Sequence, residues 1–242
     1  MSRVIVIVDT QVEKTAVAGV STTLYRVEAM KKAIAYSTSA PLSVEVITST
    51  EAALLPPSQE IIWCPLTLDV PNTLQFWGQN IFQACRNLTS FRQQVEALGY
   101  RAGDGSQGQD SLYLPIVLTA KGPLYGEVIG QGKATNCYQQ PVDLPDHQRQ
   151  PLYHLAYQLL QSLEAPPSVY LLKFGYKEQE IICDRSAQAP WAYRLLPFPD
   201  VPALASSGIQ EPNLFTCHWH CLTNQPIYDL TIIPKNAGNM GD

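Results

Sequence analysis

The stretch "RVIVIVD", residues 3 to 9, constrains the fold more than any other part of the chain. Its five central residues are all β-branched, so both faces of a strand built from them must be covered. A strand apolar on both faces belongs in the middle of a parallel sheet, with cover on either side. Asp9 then stands where that strand ends, at the mouth of an open sheet, where α/β proteins hold their ligands.

The next hundred residues alternate in the way such a sheet requires. "STTLYRVEAMKKAIAYS" reads as a helix, with Leu24, Val27, Met30, Ile34 and Ala35 at three-to-four spacing and Ser21 or Thr22 as cap. "SVEVITS" and "EIIWC" read as strands, "PNTLQFWGQNIFQACRNL" (71 to 88) as a helix, and "TSFRQQVEALG" as a second helix closed by Gly99. This order predicts an N-terminal three-layer, Rossmann-like α/β unit over residues 1–100, built on a mainly parallel sheet. "RAGDGSQGQDS" (101–111), with three glycines and no large apolar residue, reads as a linker.

Residues 112–242 read as a strand-rich α+β unit. "LYLPIVLT" and "LYGEVIGQG" flank the turn signal "AKGP", and "TNCYQQPVDL" follows. Leu152, Leu155, Ala156, Leu159, Leu160 and Leu163 mark a helix near Pro151, which "PP" at 166 and 167 ends. "SVYLLKFGYKEQEIICDR" reads as a hairpin turning at "YKEQ". A Pro-rich loop over 190–202 follows, and "IYDLTIIP" reads as a last strand.

Charge narrows the class of partner. Charged residues make up 15% of the chain, the net charge is −5, and no run of Lys or Arg exceeds the pair Lys31-Lys32. A nucleic-acid ligand needs a concentrated cationic face to displace counterions, and the sequence supplies none. "MSRVIVIVDT" holds too short an apolar run for a signal peptide, and no stretch reaches the ~20 apolar residues of a membrane span. The expectation is a cytoplasmic protein without membrane insertion, its six cysteines reduced rather than paired.

"LFTCHWHCLT", residues 214 to 223, is the most reactive-looking segment. As a strand it would put His218 and His220 on one face, ~6.5 Å apart, a workable pair of metal ligands if a third arrived from elsewhere. As a helix it would turn the two imidazoles about 200° apart and line one side with Leu214, Cys217 and Cys221. Pro212-Asn213 and Asn224 resemble helix boundaries. The cysteines match neither a structural zinc site nor a dithiol redox pair, and buried free cysteine is common.

Two family resemblances bear on function. Asp9, Lys121 and Cys137 follow the order of the acid, lysine and nucleophilic cysteine of isochorismatase-like hydrolases. Only fifteen residues separate Lys121 from Cys137, with four glycines among them, which leaves no room for the crossover helix and strand of that fold. Residues 142–230 resemble the closing part of ATP-grasp ligases of the carboxyaminoimidazole ribonucleotide synthase kind. The shared order is a helix after a strand ("VDLPDHQRQPLYHLAYQLLQSL"), a hairpin ("VYLLKFGYKEQEIICDR"), a Pro-rich loop ("LLPFPDVPAL") and a helix holding Cys217 to Cys221.

That resemblance implies that 214–222 is helical and that the N-terminal unit is the domain preceding the ATP-grasp. It also implies a lysine and a glycine-rich loop over nucleotide phosphates near 100–112, where this chain has only its linker. Of the family's magnesium-binding acidic and amide residues, "CDRSAQAPWAYR" offers only Asp184, with Arg185 beside it. Magnesium between phosphates normally draws on more than one carboxylate. The nucleotide machinery is therefore expected to be lost.

The leading expectation is a non-catalytic binding protein on an enzyme-derived scaffold, taking a protein partner or a small ligand, with Asp9, Asp184 and Arg185 as candidate ligand contacts. Trp77, Trp191, Tyr193 and Phe198 are candidate exposed partner contacts, or equally staples of the Pro-rich loop. The runner-up is an atypical enzyme, ATP-dependent through Asp184 and Arg185 or metal-dependent through His218 and His220. No cofactor is assigned from sequence.

Overall fold

The computed structural model describes residues 3–9, 22–38, 42–56, 61–103, 111–132, 134, 136–175 and 191–234. β1 (Arg3–Val8) is the central strand expected of it: Val4 to Ile7 are completely buried, and both of its neighbours run parallel to it. α1 (Thr22–Ser37) follows, then β2 (Ser43–Thr48), the short α2 (Ser49–Ala52) and β3 (Ile61–Pro65), giving a parallel sheet in the order β2-β1-β3. A capping box starts α2, with Thr48 and Glu51 each satisfying the other's backbone amide.

α1 is rotated relative to its apolar pattern. Val27, Met30 and Ile34 are buried as expected, but Leu24 is half exposed and Arg26 is buried in its place. The segment 71–88 is not one helix. Only α3 (Gln79–Arg86) is helical, because Gly78 before it sits at φ +91, where a Cβ would also meet Pro166 at 2.7 Å. Asn87 breaks the run at φ −85, ψ 92 and caps α4 (Leu88–Ala97) by accepting from Ser90 N.

The segment read as a linker begins as sheet. β4 (Arg101–Ala102) joins a seven-stranded sheet whose main path is β4-β10-β9-β5-β7-β8, with β6 paired to β5. Its other members are β5 (Leu112–Thr119), β6 (Gly122–Tyr125), β7 (Val128–Gln131), β8 (Tyr138–Val142), β9 (Ser168–Gly175) and β10 (Trp191–Leu196). "AKGP" does make the β5–β6 turn, with Thr119 opposite Gly122. α5 (Asp146–Ser162) lies between β8 and β9 and buries Leu152, Leu155, Ala156, Leu159 and Leu160.

β9 pairs antiparallel with β5 on one side and with β10 on the other, and β10 lies inside the stretch expected to be Pro-rich loop. The expected hairpin turn and its return arm, with Asp184 and Arg185, lie outside the described residues. A 3-10 turn over Val201–Ser206, β11 (Gln210–Glu211), α6 (Leu214–Leu222) and β12 (Thr231–Ile232) complete the chain, the last strand being shorter than "IYDLTIIP" suggests.

α6 settles the form of "LFTCHWHCLT". Asn213 accepts from Phe215 N and Thr216 N at 3.0 Å each, and Asn224 at φ +53 ends the helix. α6 packs on α1, β5 and β9, while α3 and α4 pack on β10, so helices of the first half help cover the larger sheet and α1 meets α6 between the halves. One buried core runs through both, from Val4–Ile7 to Leu114, Leu171 and Trp219. Among the described residues no helix is long and apolar enough to cross a membrane.

Candidate functional site

A cleft of about 620 Å³ opens at the carboxyl ends of β1 and β3, between the parallel sheet and one face of the larger sheet. From the parallel sheet come Asp9, just after β1, and Leu66 to Asp69, just after β3. Leu66 N donates to Ile7 O at 2.9 Å, which carries the β1–β3 pairing out to the cleft's edge. Thr67 Oγ1 donates to the Asp9 carboxylate and accepts from Asp69 N at 2.9 Å.

Two arginines hold this rim. Arg26, buried on α1, donates to Leu66 O at 2.9 Å and to Thr23 Oγ1 at 3.0 Å. It also reaches Asp200 at 2.6 Å and Asp9 at 3.7 Å, tying the start of the 3-10 turn to the end of β1. Arg86, the last residue of α3, donates to Leu68 O and Val70 O and lies 3.8 Å from Asp69. Each of the three cleft carboxylates is therefore within ion-pair reach of an arginine.

The opposite wall is built differently. Tyr113 on β5 lies opposite Lys173 on β9, and Lys173 lies opposite Arg194 on β10, so the three side chains form one row across three strands. Like charges directly opposite on paired strands are destabilising. Neither cation has a hydrogen-bond or ion-pair partner among the described residues, and Arg194 Nε is buried without one. Burial, and then the Arg194 charge, push the Lys173 pKa down, and burial raises that of Tyr113. Two cations with no counter-ion among the described residues, beside a phenol in a partly desolvated cleft, offer the donors that an anion requires.

The other predicted residues are dispersed. Asp9 is on the cleft rim. Phe198 is not an exposed contact: it is 2% exposed, stacked on Phe82 at 6.0 Å, and its edge lines the cleft. Apolar packing decided its position, and the stapling alternative describes it. Trp191 is half-buried with Arg101 over its ring at 5.6 Å. Tyr193 is half-buried and covers Gly103 and Gly175, where a Cβ would collide with its ring. Trp77 is 68% exposed.

The helix separates the two histidines. His218 is buried with Nδ1 3.2 Å from Ser168 Oγ, and burial lowers its pKa to about 3. His220 points instead to Ser37 Oγ on α1 at 3.2 Å. Among the described residues no three His, Cys, Asp or Glu side chains converge on one point. Lys121 stacks over Tyr228, and Cys137 is exposed ahead of β8, so neither lines the Asp9 cleft. Burial raises the Cys64, Cys85 and Cys221 thiols to about 12, as expected of inert core residues.

Of the cleft's lining residues the sequence reading names Asp9 and Phe198, and not Arg26, Arg86, Tyr113, Lys173 or Arg194. Two signals were present. Lys173 interrupts the apolar strand "SVYLLKFG", and Arg26 falls on the buried side of α1 with Val27 and Met30.

No protein-family model and no curated protein matches this sequence. Solved structures do. Glycinamide-RNase-transformylase T from Mycobacterium tuberculosis aligns with 96% of this chain and 82% of its own, at 12% identity and a TM-score of 0.65. The ADP complex of N5-carboxyaminoimidazole synthetase from Staphylococcus aureus gives 96%, 80%, 8% and 0.67. The N5-carboxyaminoimidazole ribonucleotide synthetase from Thermus thermophilus gives 93%, 79%, 9% and 0.65. The fold is thus ATP-grasp-like, and the likeness extends well beyond residues 142–230 to nearly the whole chain.

Proposed function

We propose that this protein is a non-catalytic cytoplasmic binding protein on an ATP-grasp-like scaffold, and that its cleft takes a small metabolite bearing a phosphate or carboxylate. The observation that carries this reading is the row Tyr113-Lys173-Arg194, two adjacent cations with no acidic partner among the described residues, facing a 620 Å³ cleft. Binding a small anion relieves their repulsion in a partly desolvated site, where charge-assisted hydrogen bonds are strong. The engagement of Asp9, Asp69 and Asp200 by arginines supports binding rather than catalysis. Carboxylates held that way are poorly disposed to carry a divalent ion between phosphates. Nucleic acid is not the partner on this reading, because the cationic groups lie in a cleft of small-molecule size.

A thermal-shift screen of phosphate- and carboxylate-bearing metabolites tests the proposal. A ligand that binds the native state must raise the melting temperature by mass action, roughly in proportion to the logarithm of its concentration. At least one saturable shift is expected from such anions and none from neutral analogues of the same size. A flat response across the anions contradicts the reading.

The second reading is an atypical ATP-dependent ligase, favoured by the likeness to a synthetase solved with ADP. Release of inorganic phosphate from Mg-ATP in the presence of candidate acids separates the two. Turnover supports the ligase, and ligand binding without turnover supports the binding protein.

A further inference from the structure

We infer that a small pocket between α3, the turn from α5 to β9, and α6 binds a neutral, ring-bearing alcohol or phenol. The ligand's hydroxyl donates to His218 Nε2 and its ring lies on Trp77. The pocket shares no lining residue with the cationic cleft and does not depend on what the cleft binds.

The walls are Trp63, Phe76, Phe82 and Tyr170, with Pro166 and Pro197. Small-molecule pockets are lined in this way, with a few polar groups that fix orientation. Two of the polar atoms here are already engaged. Tyr170 Oη donates to Pro166 O at 2.6 Å, and Ser168 Oγ donates to Pro197 O at 3.3 Å. His218 also lines the pocket, and its side chain is buried. Its Nε2 has no hydrogen-bond partner among the described residues. A buried polar atom in that state costs free energy until a partner reaches it.

The count of protons decides what the partner must be. Burial keeps His218 neutral, so one ring nitrogen carries a proton and the other is an acceptor. Ser168 has a single hydroxyl proton. With that proton on Pro197 O, His218 Nδ1–H is the donor across the 3.2 Å contact with Ser168 Oγ. Nε2 is then a bare acceptor and requires a donor. The opposite assignment would take the proton from Pro197 O and bury an orphan N–H, the rarer defect.

Size and charge narrow the donor further. The pocket holds about 20 Å³, room for one water-sized group. A hydroxyl has that size and donates, whereas an ammonium would shed its hydration against apolar walls at far greater cost. The rest of the ligand stays at the mouth, where Trp77 is the one lining residue that is mostly exposed, at 68%. Trp77 and the partly buried Phe76 offer aromatic faces there, which suit a ring.

Phenol and toluene test this, because they share a shape and differ in the donor. Toluene leaves water more readily, so an apolar pocket without an acceptor prefers it. Long-range proton–nitrogen NMR of the full chain follows His218 Nε2, and amide shifts around the pocket give both affinities. Titrations to about 10 mM suit the millimolar dissociation constants of ligands this small. Phenol should move the Nε2 resonance saturably and bind at least as tightly as toluene. His218→Leu should favour toluene at least ~10-fold. Trp77→Ala, at an exposed position, keeps the fold and should weaken phenol roughly 2- to 10-fold, which decides the matter if H218L does not fold. Saturating pyrophosphate should leave phenol binding unchanged, and competition would place phenol in the cleft instead. Tighter binding of toluene by the parent, or equal phenol affinity in W77A, overturns the inference. So does a Nε2 resonance that phenol leaves in place, which would make a single water the occupant.

Discussion

Lys173 and Arg194 face each other on paired strands, and that arrangement costs stability in the empty protein. Replacing Arg194 with Met keeps most of the apolar stem and removes the repulsion. The R194M protein should be as stable as the parent or more so, by up to about 1 kcal/mol, the range of cross-strand pairs. It should also lose the anion-dependent rise in melting temperature. Urea melts with and without the ligand check both halves, and a large loss of stability in R194M would mean that Arg194 is structural. Stabilisation accompanied by loss of function is the usual mark of a residue held in place for a ligand. The same scale shows why the cleft was hard to foresee. An arginine buried on a helix and a lysine inside a strand look like interruptions of an apolar pattern until the fold brings them together.

At the scale of elements, α1 and α6 carry the most consequence. Arg26 joins α1 to the end of β3 through Leu66 O and to the 3-10 turn through Asp200. Arg26→Met would leave Asp200 and the Leu66 carbonyl without their donor, and breaking a largely buried ion pair costs about 3 kcal/mol. A melting temperature several degrees lower is expected, and an unchanged one would show that the arginine contributes only to the cleft. On α6, burial keeps His218 neutral, with a folded pKa of about 3 against an ordinary value near 6.5. The unfolded chain therefore binds the extra proton first. The contribution is complete above about pH 6.5 and is lost as pH falls towards 3, on the order of 1 kcal/mol per pH unit. His218→Asn should flatten that acid limb in denaturation curves taken between pH 6.5 and 4. An identical pH slope in the variant would assign the limb to other groups.

Elements with local signals were legible in the sequence. β1 announced itself by its β-branched run and the β5–β6 turn by "AKGP", while Asn213 and Asn224 marked the bounds of α6 without deciding between helix and strand. The elements that were misread depend on distant partners. β10 is bounded by Pro190 and Pro197 and reads as loop, yet β9 supplies the pairing that makes it a strand. Residues 71–78 continue the helical pattern of α3, but the left-handed Gly78 packed on Pro166 stops it. Of the site, only Asp9 follows from local pattern, because strand ends at an open sheet are visible in sequence. Its cationic partners come from positions 26, 86, 173 and 194, on four elements that nothing local connects.

Over the whole molecule, the parallel sheet and the larger sheet face each other across the cleft. One supplies carboxylates already held by arginines, and the other supplies two cations that have no counter-ion among the described residues. α3 and α4 pack on β10 and α1 packs on α6, which ties the two walls of the cleft together. The fold is shared with ATP-grasp ligases at about 10% identity, so the scaffold transmits geometry without its chemistry having to follow. The central claim is that the open row of Tyr113, Lys173 and Arg194 holds an anion. Isothermal titration of the parent and of the K173M/R194M variant with inorganic pyrophosphate, at matched ionic strength, tests it most directly. Saturable binding at one site per chain, weakened at least ~10-fold in the variant, is the predicted result. Equal affinity in the two proteins, or no heat from the parent at millimolar pyrophosphate, would contradict it.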